Sequence, residues 1–382
     1  MNAVSLTKCK DYDYYKTKKT IEVGIQHLGG LEKYIEKGQT VLLKLNLLMK
    51  KRPEEAVTTH PIFVKALGDI LMEYGCKVII GDSPGGPFTT RALKGIYKAC
   101  GIEKIAEESG FILNYNTDEY EDNHPEGMLL KRINAIKVLQ EVDAVISVSK
   151  LKTHGMALFT GAVKNLFGII PGMLKVEYHF KMPDIKDFSN MLVDVCLYAK
   201  PVLSIMDGIV GMEGEGPSAG EPRNVGVVIA SNSPYHLDVV AAQLIGINPS
   251  DIPTVKRCVE RGLVKNTFDD YLLKGETIEA CRVEKFKSPN IASINFFKGR
   301  VPVFLENYLT SLCQPKPIFD HNDCVGCKDC EICCPPKAIT MKEKKPYADL
   351  EKCIRCFCCH ELCPKKAVKI KRPKIIGRLM RM

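Results

Sequence analysis

The sequence predicts an α/β fold: a largely parallel sheet with helices on both faces, followed by a small C-terminal α+β domain. Three observations predict it. Apolar strand-like runs alternate with amphipathic helical runs from residue 40 to residue 246. Ten of the 17 cysteines fall between Cys324 and Cys363. Eight of those ten sit in two copies of one short pattern set 29 residues apart. A chain of 382 residues has room for a main domain of about 250–300 residues and a satellite.

Taken in order, TVLLKLNLL (residues 40–48) is expected to form a buried strand. HPIFVKALGDILMEYG (residues 60–75) has helical periodicity and stops on glycine. CKVIIGDSP (residues 76–84) is a strand running into a turn, and VDAVISVSK (residues 142–150) is another strand. DIKDFSNMLVDVCLYA (residues 184–199) is a helix. PVLSIMDGI (residues 201–209) and VGVVIAS (residues 225–231) are further strands, and YHLDVVAAQLIG (residues 235–246) is a helix. Residues 288–317, apolar and proline-punctuated, break this rhythm and are expected to connect the domains. The expected division is an α/β domain over 1–287, the connection over 288–317, the cysteine-rich domain over 318–371 and a basic tail over 372–382.

Composition narrows the class. The start, MNAVSLTKCK, has no apolar signal-peptide core, and no run approaches the ~18 apolar residues of a membrane span, so a cytoplasmic protein is expected. In a reducing compartment, dense cysteine points to metal ligation or redox work rather than disulfides. The net charge of +9 is local: residues 365–382 hold eight Lys or Arg and no acid, and without them 46 basic residues face 45 acidic ones. Trp is absent and the basic residues do not interleave with aromatics, so no DNA or RNA partner is expected.

The cysteine pattern is C-x-x-C-x-x-C-x-x-x-C-P. It occurs as Cys324, Cys327, Cys330, Cys334 and again as Cys353, Cys356, Cys359, Cys363, each closing on proline. Three thiolates two residues apart wrap one cubane, and the fourth is carried to the other cluster. The expected ligands are Cys324, Cys327, Cys330 and Cys363 for one 4Fe-4S cluster, and Cys353, Cys356, Cys359 and Cys334 for a second. Structural zinc does not ask for two tandem three-cysteine combs. The stretch resembles the bacterial two-cluster ferredoxins. Cys333 and Cys358 fall outside the frame and are expected to pack against the clusters or stand exposed.

Upstream, polar residues gather where strands end, and in open α/β sheets ligands bind beyond the carboxyl ends of strands. KLKTHGMALFTGAVKNLFGIIPGMLKVEYH supplies Lys150, Lys152, His154, Thr160, Gly161, Lys164, Asn165, Lys175 and His179. A helix opening near Thr160 is expected to aim free N–H groups at an anion, with these lysines and Lys44 beside it. His154 is the expected proton donor, with Lys150 and Lys152 as catalytic partners. Asp82, Asp207 and Glu213 are candidate ligands for Mg²⁺. No Walker spacing and no G-x-G-x-x-G opening a helix is present, so neither a P-loop nor a Rossmann site is expected.

KLNLL, HPIFVKAL, GDSPGG, KLKTHGMALFTGAVKNLFGIIPG and MDGIVGMEGEGP together resemble the bacterial and archaeal domain-of-unknown-function family 362, over roughly residues 1–290. The resemblance implies a cytoplasmic iron–sulfur protein with an α/β domain, and it delivers no substrate. Two functions follow as expectations. In one, the clusters pass electrons to an anionic ligand in the α/β domain, as in a ferredoxin-type oxidoreductase. In the other, the α/β domain docks a redox or assembly partner protein and turns over no small molecule.

Overall fold

The computed structural model describes residues 2–289 and 315–371, and within them the apolar runs become strands of one sheet. β1 (Asn2–Lys8) leads to α1 (Tyr14–His27), which starts where the Asp13 side chain accepts the Lys16 N–H at 2.9 Å. β2 (Thr40–Lys44), α2 (Pro61–Tyr74) and β3 (Lys77–Gly81) follow. Pro61 sits at the first helical position of α2, and Gly75 ends it with φ of 107°, a left-handed conformation that glycine takes without strain. Next come α3 (Thr90–Ala99), α4 (Ile102–Ser109), the short β4 (Ile112–Leu113), and a separate hairpin of β5 (Glu119–Asn123) and β6 (Arg132–Ile136).

The centre is β7 (Ala144–His154), β8 (Leu158–Thr160), α5 (Ala162–Asn165), α6 (Leu174–Lys181) and α7 (Ile185–Ala199). β9 (Leu203–Glu213), β10 (Glu221–Ser231), α8 (Pro234–Leu244), α9 (Pro253–Glu260), β11 (Tyr271–Gly275) and α10 (Ile278–Cys281) complete the lobe. The strands order as β11-β1-β10-β9-β7-β2-β3-β4, with β8 paired to β7 off this path. β4, β3, β2, β7 and β9 run parallel, and β10 turns antiparallel between β9 and β1. One face buries Ile21, Phe63, Leu67 and Leu71 from α1 and α2; the other buries Phe188, Leu192, Leu237 and Val240 from α7 and α8. Helices therefore cover both faces, as expected for strands apolar on both sides.

Two strand ends differ from the sequence reading. The first predicted strand leaves the sheet after Lys44, because the Leu47 N–H turns to the Asp82 carboxylate at 2.8 Å instead of a neighbouring strand. β7 continues four residues past the predicted end at 150. All eleven of its residues are buried, and its lysines find partners inside the protein.

The C-terminal unit pairs β12 (Lys316–Phe319) with β15 (Val368–Lys371), and β13 (Ile339–Lys342) with β14 (Lys345–Ala348). Two one-turn helices, Asp329–Ile332 and Cys358–Glu361, follow the cysteine loops. The sequence repeat is also a backbone repeat. Gly326 and Arg355 (φ 70° and 57°), Lys328 and Phe357 (68° and 61°), and Lys337 and Lys366 (50° and 55°) are all left-handed. Non-glycine residues rarely hold this conformation, so matched occurrences mark a loop shape imposed by the fold. Cys313, most of the predicted connection and the tail from 372 lie outside the described residues.

The unit docks on the α/β lobe. Val176 of α6 packs into its core with Cys330, Cys333 and Cys358. Lys51 donates to the Pro364 carbonyl at 3.3 Å, and Lys366 donates to the Gly220 carbonyl at 3.2 Å. A Cβ at Gly85 would stand 2.5 Å from a terminal methyl of Leu362, which would have to turn away to admit it.

Candidate functional site

Where β2, β3 and β7 reach their carboxyl ends, a cavity opens under the docked unit. Lys44, Asp82, Lys152, Thr160, Lys164, Asn165, Lys175 and His179 line it from the α/β lobe; Cys358, Glu361 and Leu362 close it from the other side. The predicted anion-binding residues thus converge, apart from Gly161.

Each lysine is held differently. Lys44 is buried against Asp82 at 2.8 Å and donates to the Leu45 carbonyl at 2.7 Å and to the Asn165 carbonyl. Gly168 makes room for that pair, since a Cβ there would lie 2.0 Å from Asp82 Oδ1. Lys152 donates to Asn46 Oδ1 and to the Val57 carbonyl, both at 2.7 Å. Lys175 donates to Ser83 Oγ at 2.8 Å and the Pro84 carbonyl at 3.2 Å. Burial pushes both of these ammonium groups down to about 7. Lys164, also lowered by burial, has the face of Phe167 at 5.9 Å as its partner among the described residues. His179 stacks on Phe188 at 4.2 Å, and burial pushes it down to about 3, so it is neutral at physiological pH.

His154 has a different place from the one predicted. Its Nδ1 accepts the N–H groups of Met156 and Ala157 at 3.1 and 3.0 Å, which puts the proton on Nε2. Nε2 lies 2.8 Å from Glu361 Oε1, and His154 does not line the cavity. Burial, reinforced by Lys164, lowers the imidazole to about 4. Burial opposes ionisation of Glu361, but His154 and Lys164 outweigh it and hold the carboxyl far below its usual range. A neutral imidazole thus lies 2.8 Å from a carboxylate across the domain junction. Replacing Glu361 with alanine is expected to cost about 1.5–3 kcal/mol, the range for a hydrogen bond to a charged group. Urea unfolding measures this; an unchanged midpoint would mean the junction does not use the contact.

Three other expectations need correction. Lys150 lies outside the cavity: it pairs with Asp207 at 2.8 Å and donates to Tyr12 Oη at 2.8 Å. The same carboxylate accepts from Tyr12 Oη at 2.8 Å and the His60 N–H at 3.0 Å, while Tyr12 stacks on the His60 ring at 3.6 Å. This is a satisfied buried network that ties β1's exit to β7, β9 and the start of α2. The opening of α5 is no anion site either. The buried Asp238 carboxylate accepts the N–H groups of Ala162 and Val163 at 2.5 and 3.2 Å and lies where a Cβ on Gly161 would be. The third is the Mg²⁺ trio, which does not assemble: Asp82 pairs with Lys44, Asp207 with Lys150, and Glu213 with Lys287 and Arg223. Among the described residues no group of three or more His, Cys, Asp or Glu closes around a single ion.

The cysteines instead surround spaces. Cys324, Cys327, Cys330 and Cys363 line one cavity with Phe319, Val325 and Val368. Cys334, Cys353, Cys356 and Cys359 line another with Ile339, Ile354 and Cys358. The fourth cysteine of each motif has crossed over. Backbone N–H groups of Gly326, Ala338 and Ala367 point at the sulfurs of Cys324, Cys334 and Cys363 at 3.4, 3.2 and 3.3 Å. Four sulfurs around a walled, largely apolar space, with amides aimed at them, fit an iron–sulfur cubane. Cys333 and Cys358 are both buried, and Cys358 reaches the lysine cavity as well. Sequence reasoning missed Glu361 and Leu362, which carry no motif signal; only docking brings them to the lysines.

An α/β lobe and a duplicated cysteine comb with these walls define a ferredoxin-type iron–sulfur protein of the electron-transfer class, and residues 316–364 match the 4Fe-4S dicluster domain. Residues 41–243 match the domain of unknown function DUF362, and the chain belongs to that family. It is 33% identical over 269 residues to the thylakoid-associated protein sll1697 of Synechocystis sp., an alignment covering 69% of this chain and 80% of that protein. The lactate racemase apoprotein of Thermoanaerobacterium thermosaccharolyticum aligns in structure with a TM-score of 0.37 and 16% identity. That alignment covers 62% of this chain and 55% of the racemase chain. Among the described residues no helix is long and apolar enough to cross a membrane.

Proposed function

We propose that this chain is a cytoplasmic redox protein in which two 4Fe-4S clusters supply electrons to an anionic small molecule held in the lysine cavity. Cys324, Cys327, Cys330 and Cys363 hold one cluster, and Cys353, Cys356, Cys359 and Cys334 the other. The observation that carries the reading is the position of Cys358, which lines both the second four-cysteine cavity and the lysine cavity. When bound, clusters of this kind supply one-electron reduction.

The chain's own groups do the rest. Lys152, Lys164 and Lys175 bind the anion, and Leu48, Phe167, Val176 and Leu362 limit water around it. Ammonium groups held near 7 are matched to giving a proton at neutral pH, so Lys152 or Lys175, rather than His154, protonates the reduced ligand. His154 positions Glu361. Covalent linkage keeps donor and acceptor at high effective concentration.

Protein prepared without oxygen is expected to carry about eight irons per chain. After chemical reduction, saturating sulfate, which is redox-inert, should alter the electron paramagnetic resonance signal of one cluster and leave the other unchanged relative to a chloride control. Four irons or fewer, or signals indifferent to the anion, would contradict the reading.

A further inference from the structure

We infer that the ligand of the lysine cavity is a small phosphate monoester in its dianionic form, gripped by Lys152, Lys164 and Lys175. The inference rests on the anion-binding reading above and narrows it to one chemical class. Four lysines and two carboxylates face the cavity. Asp82 neutralises Lys44 at 2.8 Å, and Glu361 is engaged by the neutral His154 at 2.8 Å. Lys152 and Lys175 have only neutral hydrogen-bond acceptors, and Lys164 lies over the Phe167 ring with Glu361 as its nearest opposing charge. With all four lysines protonated the surplus is two positive charges among buried side chains. Unbalanced buried charge is strongly unfavourable, and a dianion removes the imbalance.

The donor chemistry selects among dianions. Planar carboxylates are best met by the guanidinium fork, and no arginine lines this cavity. Separate ammonium point charges from three elements (β7, α5 and α6) suit a tetrahedral oxyanion. Two more polar atoms wait without hydrogen-bond partners: Thr160 Oγ1 and His179 Nδ1, on side chains 3% and 4% exposed. Beside the lysines, Phe167 and Leu362 offer apolar wall against which the organic group of a monoester can pack.

Protonation supplies a signature. Lys152 and Lys175, near 7, are surrounded by Lys44, Asp82, Lys150, Lys164 and Glu361, while His179 and His154 stay neutral. A bound dianion favours the charged ammonium forms, so binding takes up protons at neutral pH. Affinity for sulfate, fixed in charge, therefore falls as pH rises through about 7. Affinity for a phosphate monoester falls there too, and also below about 6, where the ligand loses its second charge.

The test is calorimetric titration of the anaerobic holoprotein with glycerol 3-phosphate, inorganic phosphate, sulfate and succinate, in two buffers of different ionisation enthalpy. The expected result is glycerol 3-phosphate binding at least about tenfold tighter than succinate, with proton uptake, and about tenfold weakening in Lys164→Gln and in Lys175→Gln. Iron content and melting temperature establish that each variant is folded, and the pH profile of the unmodified protein decides the matter if neither is. Succinate binding as tightly as glycerol 3-phosphate overturns the phosphate assignment while leaving an anion site. Binding of no anion at all overturns the anion site as well. Wild-type affinity in both folded variants overturns the assigned grip. Iron content and spin-resonance signals report on the clusters independently of every one of these outcomes.

Discussion

Replacing Cys334 with alanine is expected to remove about four of about eight irons, and the signal lost should be the one that Cys356→Ala also abolishes, not the one abolished by Cys327→Ala. The reason is the crossing of the two motifs. Cys334 follows Cys330 by four residues in sequence, yet it lines the cavity of Cys353, Cys356 and Cys359, while Cys363 lines that of Cys324, Cys327 and Cys330. Cys363→Ala should accordingly pair with Cys327→Ala. Each variant keeps one complete ligand set, so the spectrum of the surviving cluster remains. Iron and sulfide analysis with spin resonance on the four variants decides it. Should Cys334→Ala share its lost signal with Cys327→Ala, each motif closes on itself and the crossed assignment is wrong.

Asp207→Ala is expected to destabilise the fold by about 3–5 kcal/mol, because removing one partner of a buried ion pair strands the other. Lys150 and Asp207 are both 0% exposed, and Tyr12 and the His60 N–H lose their acceptor in the same substitution. The folded fraction should retain its iron and its affinity for sulfate, since the network lies outside the lysine cavity. Replacing the pair together, Lys150→Met with Asp207→Leu, should recover much of the loss, as apolar residues of similar volume often do for buried pairs. Urea unfolding with parallel calorimetry separates the roles. An Asp207→Ala protein of normal stability that no longer binds anions would return Lys150 to the site.

The same two residues illustrate how far linear reading goes. Lys150 and Lys152 are two apart on one strand, with the same residue type and the same buried surroundings, and nothing in the sequence ranks one above the other. Register decides: Lys150 stands opposite Asp207 across β7 and β9 and is neutralised there. Lys152 finds an amide and a carbonyl instead and faces the cavity with no carboxylate bonded to it. His154 misled for a related reason. A histidine after two lysines at a strand end looks catalytic, but the turn at Met156 and Ala157 fixes its tautomer and docking supplies Glu361. The helix opening near Thr160 was legible as an opening; the carboxylate that occupies it comes from Asp238, 76 residues further along.

By itself the sequence determined the layers of the main lobe, the cysteine frame and the polar cluster at the strand ends, because periodicity, ligand spacing and turn residues are local properties written in consecutive positions. It also determined that the cysteine loops are duplicated; the structure adds that left-handed residues repeat 29 apart in them. Only the tertiary structure decided which charges cancel, and so which lysines remain to bind, and that the second cysteine cavity meets the lysines through Cys358 while Glu361 closes the wall. Charge pairing acts between atoms a few ångströms apart, with no regard to their separation along the chain. In this protein the partners that settle each role lie tens to hundreds of residues away.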